Sequence, residues 1–369
     1  MNILLVGAGG YAAGYVKELL GNTDPSVTWA GVVDPYYDAC AKKAEIDAAG
    51  IPIYDTMEAF YAEHEADLAV ICTPPHLHRE QSICALAHGS YVLCEKPVAP
   101  TVAEAQKMRQ AEERYGRWIA IGYQWSYSAA IRALKADILA GKLGKPISLK
   151  TAISWPRDLK YYGRGTGWAG RIERDGVMIL DSIASNACAH YLHNMLFLLG
   201  DAPERSAPAA VSEACCLRAN SIENFDTCSI RMMAGDVPLY FIASHAAGKK
   251  RDPEFVYRFE GAEVTFAQNE GSQIVATFAD GTVKNYGDPF ASNFSKLWEC
   301  VAAVRGGVTP ICTVETAMAH TRVIEQLWRE FPVREFPRET VKFDEVKNRV
   351  FVEGLFERMY RAYENETML

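Results

Sequence analysis

Apolar residues follow two rhythms along this chain. In the first third, short apolar runs alternate with segments whose apolar positions recur every three or four residues. Ile3-Leu4-Leu5-Val6 is followed by helical spacing over 10–21 (Tyr11, Val16, Leu19, Leu20) and then by a strand-like run over 27–33 that ends at Asp34. The alternation continues through a run at 68–72, a helix over about 77–88, a run at 91–94, a helix opening near Thr101 and a run at 118–121. Strand, helix, strand is the unit of a parallel sheet, and right-handed crossovers wind such units into a doubly wound sheet that takes ligands at the carboxyl ends of its strands. After Gly122 the rhythm changes. A helix over about 127–140 ends at Gly141, a strand covers 147–154, a Gly, Tyr and Trp-rich loop fills 155–176, and an apolar helix runs to about Leu199. From about 207 to 287 short strands punctuated by turns such as Ala279-Asp280-Gly281 predict a largely antiparallel sheet. Two helices, about 291–305 and 313–329, close that region.

The fold class that follows is α/β. A Rossmann domain, a doubly wound parallel sheet, is expected over 1–122, and an α+β domain on a largely antiparallel open sheet over 123–331. A charged extension, 332–369, is expected to cap the domains or a subunit contact. The length of 369 residues fits this division, since one hydrophobic core rarely grows so large. Acidic side chains number 46 against 38 basic ones, a net charge of −8 that repels a phosphate backbone, so nucleic acid is excluded as a partner. No apolar run has the length of a bilayer span, so no membrane partner is expected. The strand-like start at Asn2 leaves no room for a signal peptide, which predicts a cytoplasmic protein. The ten cysteines are scattered without a C-x-x-C pair and read as reduced packing residues, with Cys215 and Cys216 pointing to opposite sides of a strand.

Chemistry enters at the first turn. Gly7-Ala8-Gly9-Gly10-Tyr11-Ala12 is G-x-G-x-x-A placed directly after a strand and at the start of a helix. Gly7 permits the tight turn, Gly9 lets a pyrophosphate approach the backbone, Ala12 keeps the helix close to the sheet, and the amides from Gly10 and Tyr11 onward face the phosphates. Asp34 ends the second strand, where a carboxylate binds a ribose 2′-hydroxyl; with Pro35-Tyr36-Tyr37 and no cation following, NAD is expected and NADP less favoured.

Two further segments carry a family resemblance. Thr73-Pro74-Pro75-His76-Leu77-His78 follows one strand and Cys94-Glu95-Lys96-Pro97 ends the next. With the glycine motif, Gly122-Tyr123-Gln124 and His190-Tyr191-Leu192, the chain resembles the Gfo/Idh/MocA oxidoreductases, relatives of glucose-fructose oxidoreductase and inositol dehydrogenase. The resemblance implies hydride transfer between nicotinamide and a carbinol or carbonyl carbon of a sugar, sugar derivative or cyclitol. It places Thr73, Pro74, His78, Glu95, Lys96 and Gln124 with the cofactor, gives Lys96 a second contact with substrate, and implies a cis peptide between Lys96 and Pro97. A cation at a strand's carboxyl end also suits the alkoxide character that grows as hydride leaves. A homo-oligomer, dimer or tetramer, is implied as well.

Oxidising an alcohol needs a proton acceptor, a role that suits histidine near neutral pH. The family pattern is Asp, three residues, His, and a second Asp three further on. His190 matches the histidine, but Asn186 stands four residues before it, Asp181 nine before, and His193 replaces the second acid. On one continuous helix Asn186 shares a face with His190 while Asp181 lies nearly opposite, unless the helix begins only after Asp181. Lys96, His190, Asp181 and Asn186 are the catalytic candidates, with the division of labour between Asp181 and Asn186 open. His190 and His193 raise a metal pair, but no third ligand stands nearby and no metal is expected. Loop 155–176 holds Trp155, Arg157, Tyr161, Tyr162, Trp168 and Arg171, which suit a sugar ring or equally an oligomer contact; Tyr161, Trp168, Arg171, His190 and His193 are the substrate-contact candidates beside Lys96, with His245 a weaker one. Two other functions stay open: an NAD-retaining glycosidase or eliminase that oxidises only transiently, and a non-catalytic sugar or nucleotide sensor.

Overall fold

The computed structural model describes residues 1–369, which form two compact units. The first comprises Met1–Tyr127 and Ser292–Met318. Its elements in chain order are β1 (Asn2–Val6), α1 (Ala12–Leu20), β2 (Thr28–Val33), α2 (Lys43–Ala48), β3 (Ile53–Tyr54), α3 (Met57–Glu63), β4 (Leu68–Ile71), α4 (His78–Ala87), β5 (Tyr91–Cys94), α5 (Val102–Tyr115) and β6 (Ile119–Ile121). The strands pair in parallel in the order β3-β2-β1-β4-β5-β6, so the chain reverses its direction of winding between β1 and β4. Ile3 to Val6 and all of β4 are buried, as strands covered on both faces must be. Thr101 starts α5 by accepting the Glu104 amide, and Gly116, at φ +64°, ends it in the left-handed conformation that favours glycine.

The helix Ser295–Gly306 belongs to this first unit, whereas its place in the chain assigned it to the second domain. Leu297, Cys300, Val301 and Ala303 join the core formed by Ile3, Leu5, Tyr15 and Val16. Phe294, just before the helix, occupies the space left by Gly14: a Cβ there would come within 1.9 Å of the ring. The return segment also extends the sheet edge, with the Ile121 amide bonded to the Cys312 carbonyl at 2.8 Å.

The second unit comprises Ser128–Ala291 and Ala319–Leu369. Its elements run α6 (Ala129–Leu139), β7 (Pro146–Ser154), α7 (Leu159–Tyr162), β8 (Glu173–Arg174), β9 (Val177–Met178), α8 (Ala189–Leu198), β10 (Ala210–Arg218), β11 (Thr227–Ala234), β12 (Val237–Ser244), β13 (Arg251–Phe259), β14 (Ala262–Ala267), β15 (Ile274–Phe278), β16 (Val283–Gly287) and β17 (Val333–Glu335). One nine-stranded sheet has the order β16-β15-β14-β13-β7-β12-β11-β10-β17, antiparallel except where β7 meets β12 and β10 meets β17. The charged extension, 332–369, is part of this unit. β17 forms the sheet edge, and the helix Leu355–Asn365 packs Met359, Ala362 and Tyr363 onto Ala152, Tyr240 and Ile242. Its charges lie on the outer face of an amphipathic helix, so they do not prevent burial of the other face.

The expected helix from 177 to 199 is also divided. β8 and β9 form a short hairpin through Asp175 and Gly176, both at positive φ, and a π-helical turn over Ile183–Ala187 precedes α8. All ten cysteines are free thiols, and Cys215 and Cys216 are both buried. No helix is long and apolar enough to cross a membrane.

Candidate functional site

The carboxyl ends of β1 and β4 build a cradle in the first unit. Gly7 turns at φ +82°, and a Cβ there would stand 2.9 Å from Thr73 Cγ2 and 3.0 Å from the Cys72 carbonyl, so only glycine lets the two loops meet. Gly9 faces open space, with nothing within 4 Å of the point where a Cβ would stand. Tyr11, the residue before α1, gives no side-chain cap, which leaves the helix N-terminus to an anionic ligand. Asp34 accepts the Ala8 amide at 2.8 Å on Oδ2 and the Tyr36 amide at 2.8 Å on Oδ1. A carboxylate has about four acceptor sites, so hydroxyl donors can still be taken. Tyr11 donates to Gln124 Oε1 at 3.0 Å, which brings these two cofactor candidates together.

Two expected cofactor contacts are interior residues instead. His78 is fully buried, with Nδ1 2.8 Å from the Pro97 carbonyl and Nε2 2.9 Å from the Thr73 carbonyl; burial lowers its pKa, and it links the Thr73-Pro74 turn to the cis Lys96–Pro97 peptide. Glu95 is 6% exposed. Its Oε1 accepts from Tyr15 at 2.6 Å and from Lys296 at close range, while Oε2 receives the Lys96 amide at 3.3 Å. Lys296 is fully buried and also donates to the Gly122 carbonyl and the Tyr11 hydroxyl, each at 3.2 Å. Burial pulls this ammonium down, but the adjoining Glu95 and Tyr11 prevail and raise its pKa. Lys96 is thus the half-buried residue that follows a buried, charge-paired base. Nothing local in sequence joins Lys296 to Glu95, which explains why helical periodicity alone overlooked it.

In the second unit the π-helical turn resolves the spacing around His190. Ser182 caps it, and Cys188 closes the wide ring by bonding the Ile183 carbonyl at 2.9 Å. Asp181 lies before the extended N-cap Ser182, outside the helix, and from there it meets Asn186: Asn186 Nδ2 donates to Asp181 Oδ1 at 2.8 Å, and the Gly170 amide donates to Oδ2 at 2.6 Å. His190 follows in the first turn of α8. His193, proposed from sequence as a substrate contact, packs into the interior of the unit against Phe197, and burial, with His320 and Lys135 nearby, holds its pKa well below the usual value. No three His, Cys, Asp or Glu side chains gather as a metal site.

Loop 155–176 splits in role. Arg171, expected to bind substrate, pairs with Glu223 at 2.8 Å and donates to the Gly167 carbonyl at 2.9 Å. Tyr161 and Trp168 instead lie against Arg164, whose Cζ is 3.6 Å and 4.7 Å from their ring centroids. Tyr161 also meets His245 at 5.4 Å. A shallow depression of about 800 Å³ lined by Lys17, Glu18, Trp298 and Arg305 lies at the other end of α1 from the glycine turn and holds none of these groups.

Residues 1–123 match the profile described as oxidoreductase family, NAD-binding Rossmann fold. Inositol 2-dehydrogenase from Renibacterium salmoninarum is 35% identical over 153 residues, 41% of this chain and 45% of the relative. 1,5-Anhydro-D-fructose reductase from Ensifer adhaerens is 27% identical over 211 residues, 56% of this chain and 58% of the relative. The chain therefore spans about half the length of the curated relatives it matches. Among solved structures, the WlbA dehydrogenase from Bordetella pertussis, in complex with NADH and UDP-GlcNAcA, superposes with a TM-score of 0.71 at 20% identity, covering 89% of this chain and 95% of that one, and so shares the fold. With the glycine turn, the Asp34 carboxylate and the Glu95-Lys96-Pro97 element in place, residues 1–123 are similar to the NAD-binding Rossmann fold of the Gfo/Idh/MocA oxidoreductases.

Proposed function

We propose that the protein is an NAD-dependent oxidoreductase acting on a hydroxyl or carbonyl carbon of a sugar, sugar derivative or cyclitol. The observation that carries this reading is the cradle at the β1/β4 crossover, where a glycine turn, an uncapped helix N-terminus and the Asp34 carboxylate stand together. The dinucleotide, when bound, supplies the hydride acceptor or donor. The amides at the start of α1 bind its phosphates, and Asp34 accepts from its ribose; a 2′-phosphate there would meet a like charge, which favours NAD over NADP.

Oxidation of a carbinol releases a hydride and a proton. In this reading His190 takes the proton from the hydroxyl, and Lys96 stabilises the negative charge that develops on that oxygen. Asn186, held by Asp181, is a polar neighbour that positions the hydroxyl or the imidazole. The same reading carries a cytoplasmic homo-oligomer, dimer or tetramer, which light scattering checks.

The test is absorbance of released NADH with a panel of sugars and polyols, with the products identified in parallel. Accumulating NADH is expected, and His190→Ala is expected to cut the rate by about 10²–10⁴-fold. A product without NADH points to the glycosidase or eliminase reading. Dinucleotide binding without any turnover points to the sensor, toward which the displaced acid before His190 leans.

A further inference from the structure

In the second unit the loop after β7 sets two cations on aromatic rings. Arg157 Cζ lies 5.4 Å from the Trp155 ring centroid and 4.9 Å from that of Tyr161, and Arg164 stacks on the same Tyr161 and on Trp168. Stacking uses the faces of a guanidinium and leaves its rim of N–H donors in the plane. At Arg164 these donors are partly engaged within the chain, Nη1 with the Tyr161 carbonyl and the guanidinium with the Tyr161 side chain. The loop's ion pairs are Arg171 with Glu223 and Arg174 with Asp175; Arg157 and Arg164 enter neither. The nearby carboxylates bond other groups. Asp181 holds Gly170 and Asn186, and Asp226 holds the Ala219 and Asn220 amides, the Asn220 side chain and Thr227.

Around these cations are buried polar atoms without a partner: Arg157 Nε, the Tyr162 hydroxyl and His245 Nε2. His245 is 2% exposed, and its Nδ1 lies 2.7 Å from the Trp155 carbonyl, so that edge donates and Nε2 is left as an acceptor. Burial and the two guanidiniums push the imidazole down to about 3, which keeps it neutral. Two partly desolvated positive groups on one ring repel each other, and an anion between their rims would relieve both. The cluster adjoins the helix of His190, since Trp155 meets Tyr191 edge-on at 5.6 Å.

We infer that Arg157 and Arg164, with His245 Nε2 and the Tyr162 hydroxyl, form a subsite for an anionic group of the substrate, a carboxylate or a phosphate, with a neighbouring hydroxyl donating to His245. The substrate class is then an acidic or phosphorylated sugar or cyclitol, an assignment that rests on the oxidoreductase reading for the reaction but not for the binding.

The experiment compares matched pairs with the intact protein and NAD: glucuronate with glucose, galacturonate with galactose, glucose 6-phosphate with glucose. The anionic member of at least one pair is expected to have a kcat/KM higher by about tenfold or more, and the pair that shows it tells carboxylate from phosphate. Arg157→Met and Arg164→Met, which keep the aliphatic stem, are expected to abolish that preference through KM, while R164K restores part of it. Calorimetric titration of the same compounds into the protein without NAD separates the two readings. If acids bind, and bind more weakly by about tenfold in both methionine variants, but no pair is oxidised, the subsite stands and the redox reading falls. Oxidation of neutral and anionic partners with equal kcat/KM overturns the subsite and leaves the redox reading intact. Acid binding indifferent to both substitutions, in variants with unchanged circular dichroism, also overturns it.

Discussion

Individual side chains divide this protein's chemistry into groups that touch ligands and groups that hold them in place. Asp34 is proposed to be of the first kind. Its replacement by alanine is expected to weaken NAD by removing a ribose acceptor and to improve NADP by removing a like charge, so the ratio of the two Michaelis constants should move toward one; unchanged constants for both would refute the assignment. Lys296 belongs to the second kind. Lys296→Met leaves Glu95 buried without its cation, and breaking a buried pair in this way costs about 3–5 kcal/mol. Urea denaturation reads that loss, and Lys296→Met combined with Glu95→Gln is expected to recover much of it, because no uncompensated charge remains. A double variant no more stable than the single one would show that the pair is not what destabilises it.

Elements are held at defined separations by single small residues and by irregular turns. Gly14 admits Phe294 to the surface of α1, and that contact docks the helix Ser295–Gly306 over the parallel sheet. Gly14→Ala is expected to cost about 1–3 kcal/mol by overpacking, read as a lower denaturation midpoint, and Phe294→Leu in the same chain should relieve part of it. A Gly14→Ala protein as stable as the parent would mean that the helix docks without this contact. The π-helical turn works in the opposite sense, adding a residue instead of removing one. It begins only after Asp181, which meets Asn186 from the extended chain ahead of the Ser182 cap; one continuous helix would hold the two on different faces. The pattern of an acid four residues before the histidine is thereby replaced by an amide, itself held by a carboxylate.

Across the whole molecule each unit carries its own response to pH. Asp137, in the second unit, is opposed by burial, but hydrogen bonds from Lys142, Lys284 and Tyr286 bring its pKa down to about 2, below the ordinary 3.8. A depressed carboxylate adds stability that is complete above about pH 4 and is lost as pH falls toward 2. Glu112, in the first unit, is raised by burial to about 7 despite the Ile119 amide that it accepts at 2.7 Å. The sign is opposite: its contribution is complete below the ordinary 4.5 and is lost as pH rises through about 7. Thermal scans from about pH 2 to 8 should therefore show an acid limb that flattens in Asp137→Asn and a slope between pH 4.5 and 7 that flattens in Glu112→Gln. Either limb surviving its own substitution unchanged would remove that group as the cause.

The parallel sheet, the glycine turn, Asp34 at the end of β2 and the Glu95-Lys96-Pro97 element are legible along the chain, because strand burial, helix period and turn chemistry are local and repeat at fixed spacing. Long-range packing sets the rest: Ser295–Gly306 covers the first sheet, Lys296 neutralises Glu95, Arg171 is paired with Glu223 while Arg157 and Arg164 enter no ion pair, and His78 and His193 are interior. Those facts depend on which distant segments meet, and neither the period of an element nor the type of a residue encodes its long-range partner. A charged side chain is a ligand contact or a structural brace according to what lies opposite it, and that is fixed when the chain closes on itself.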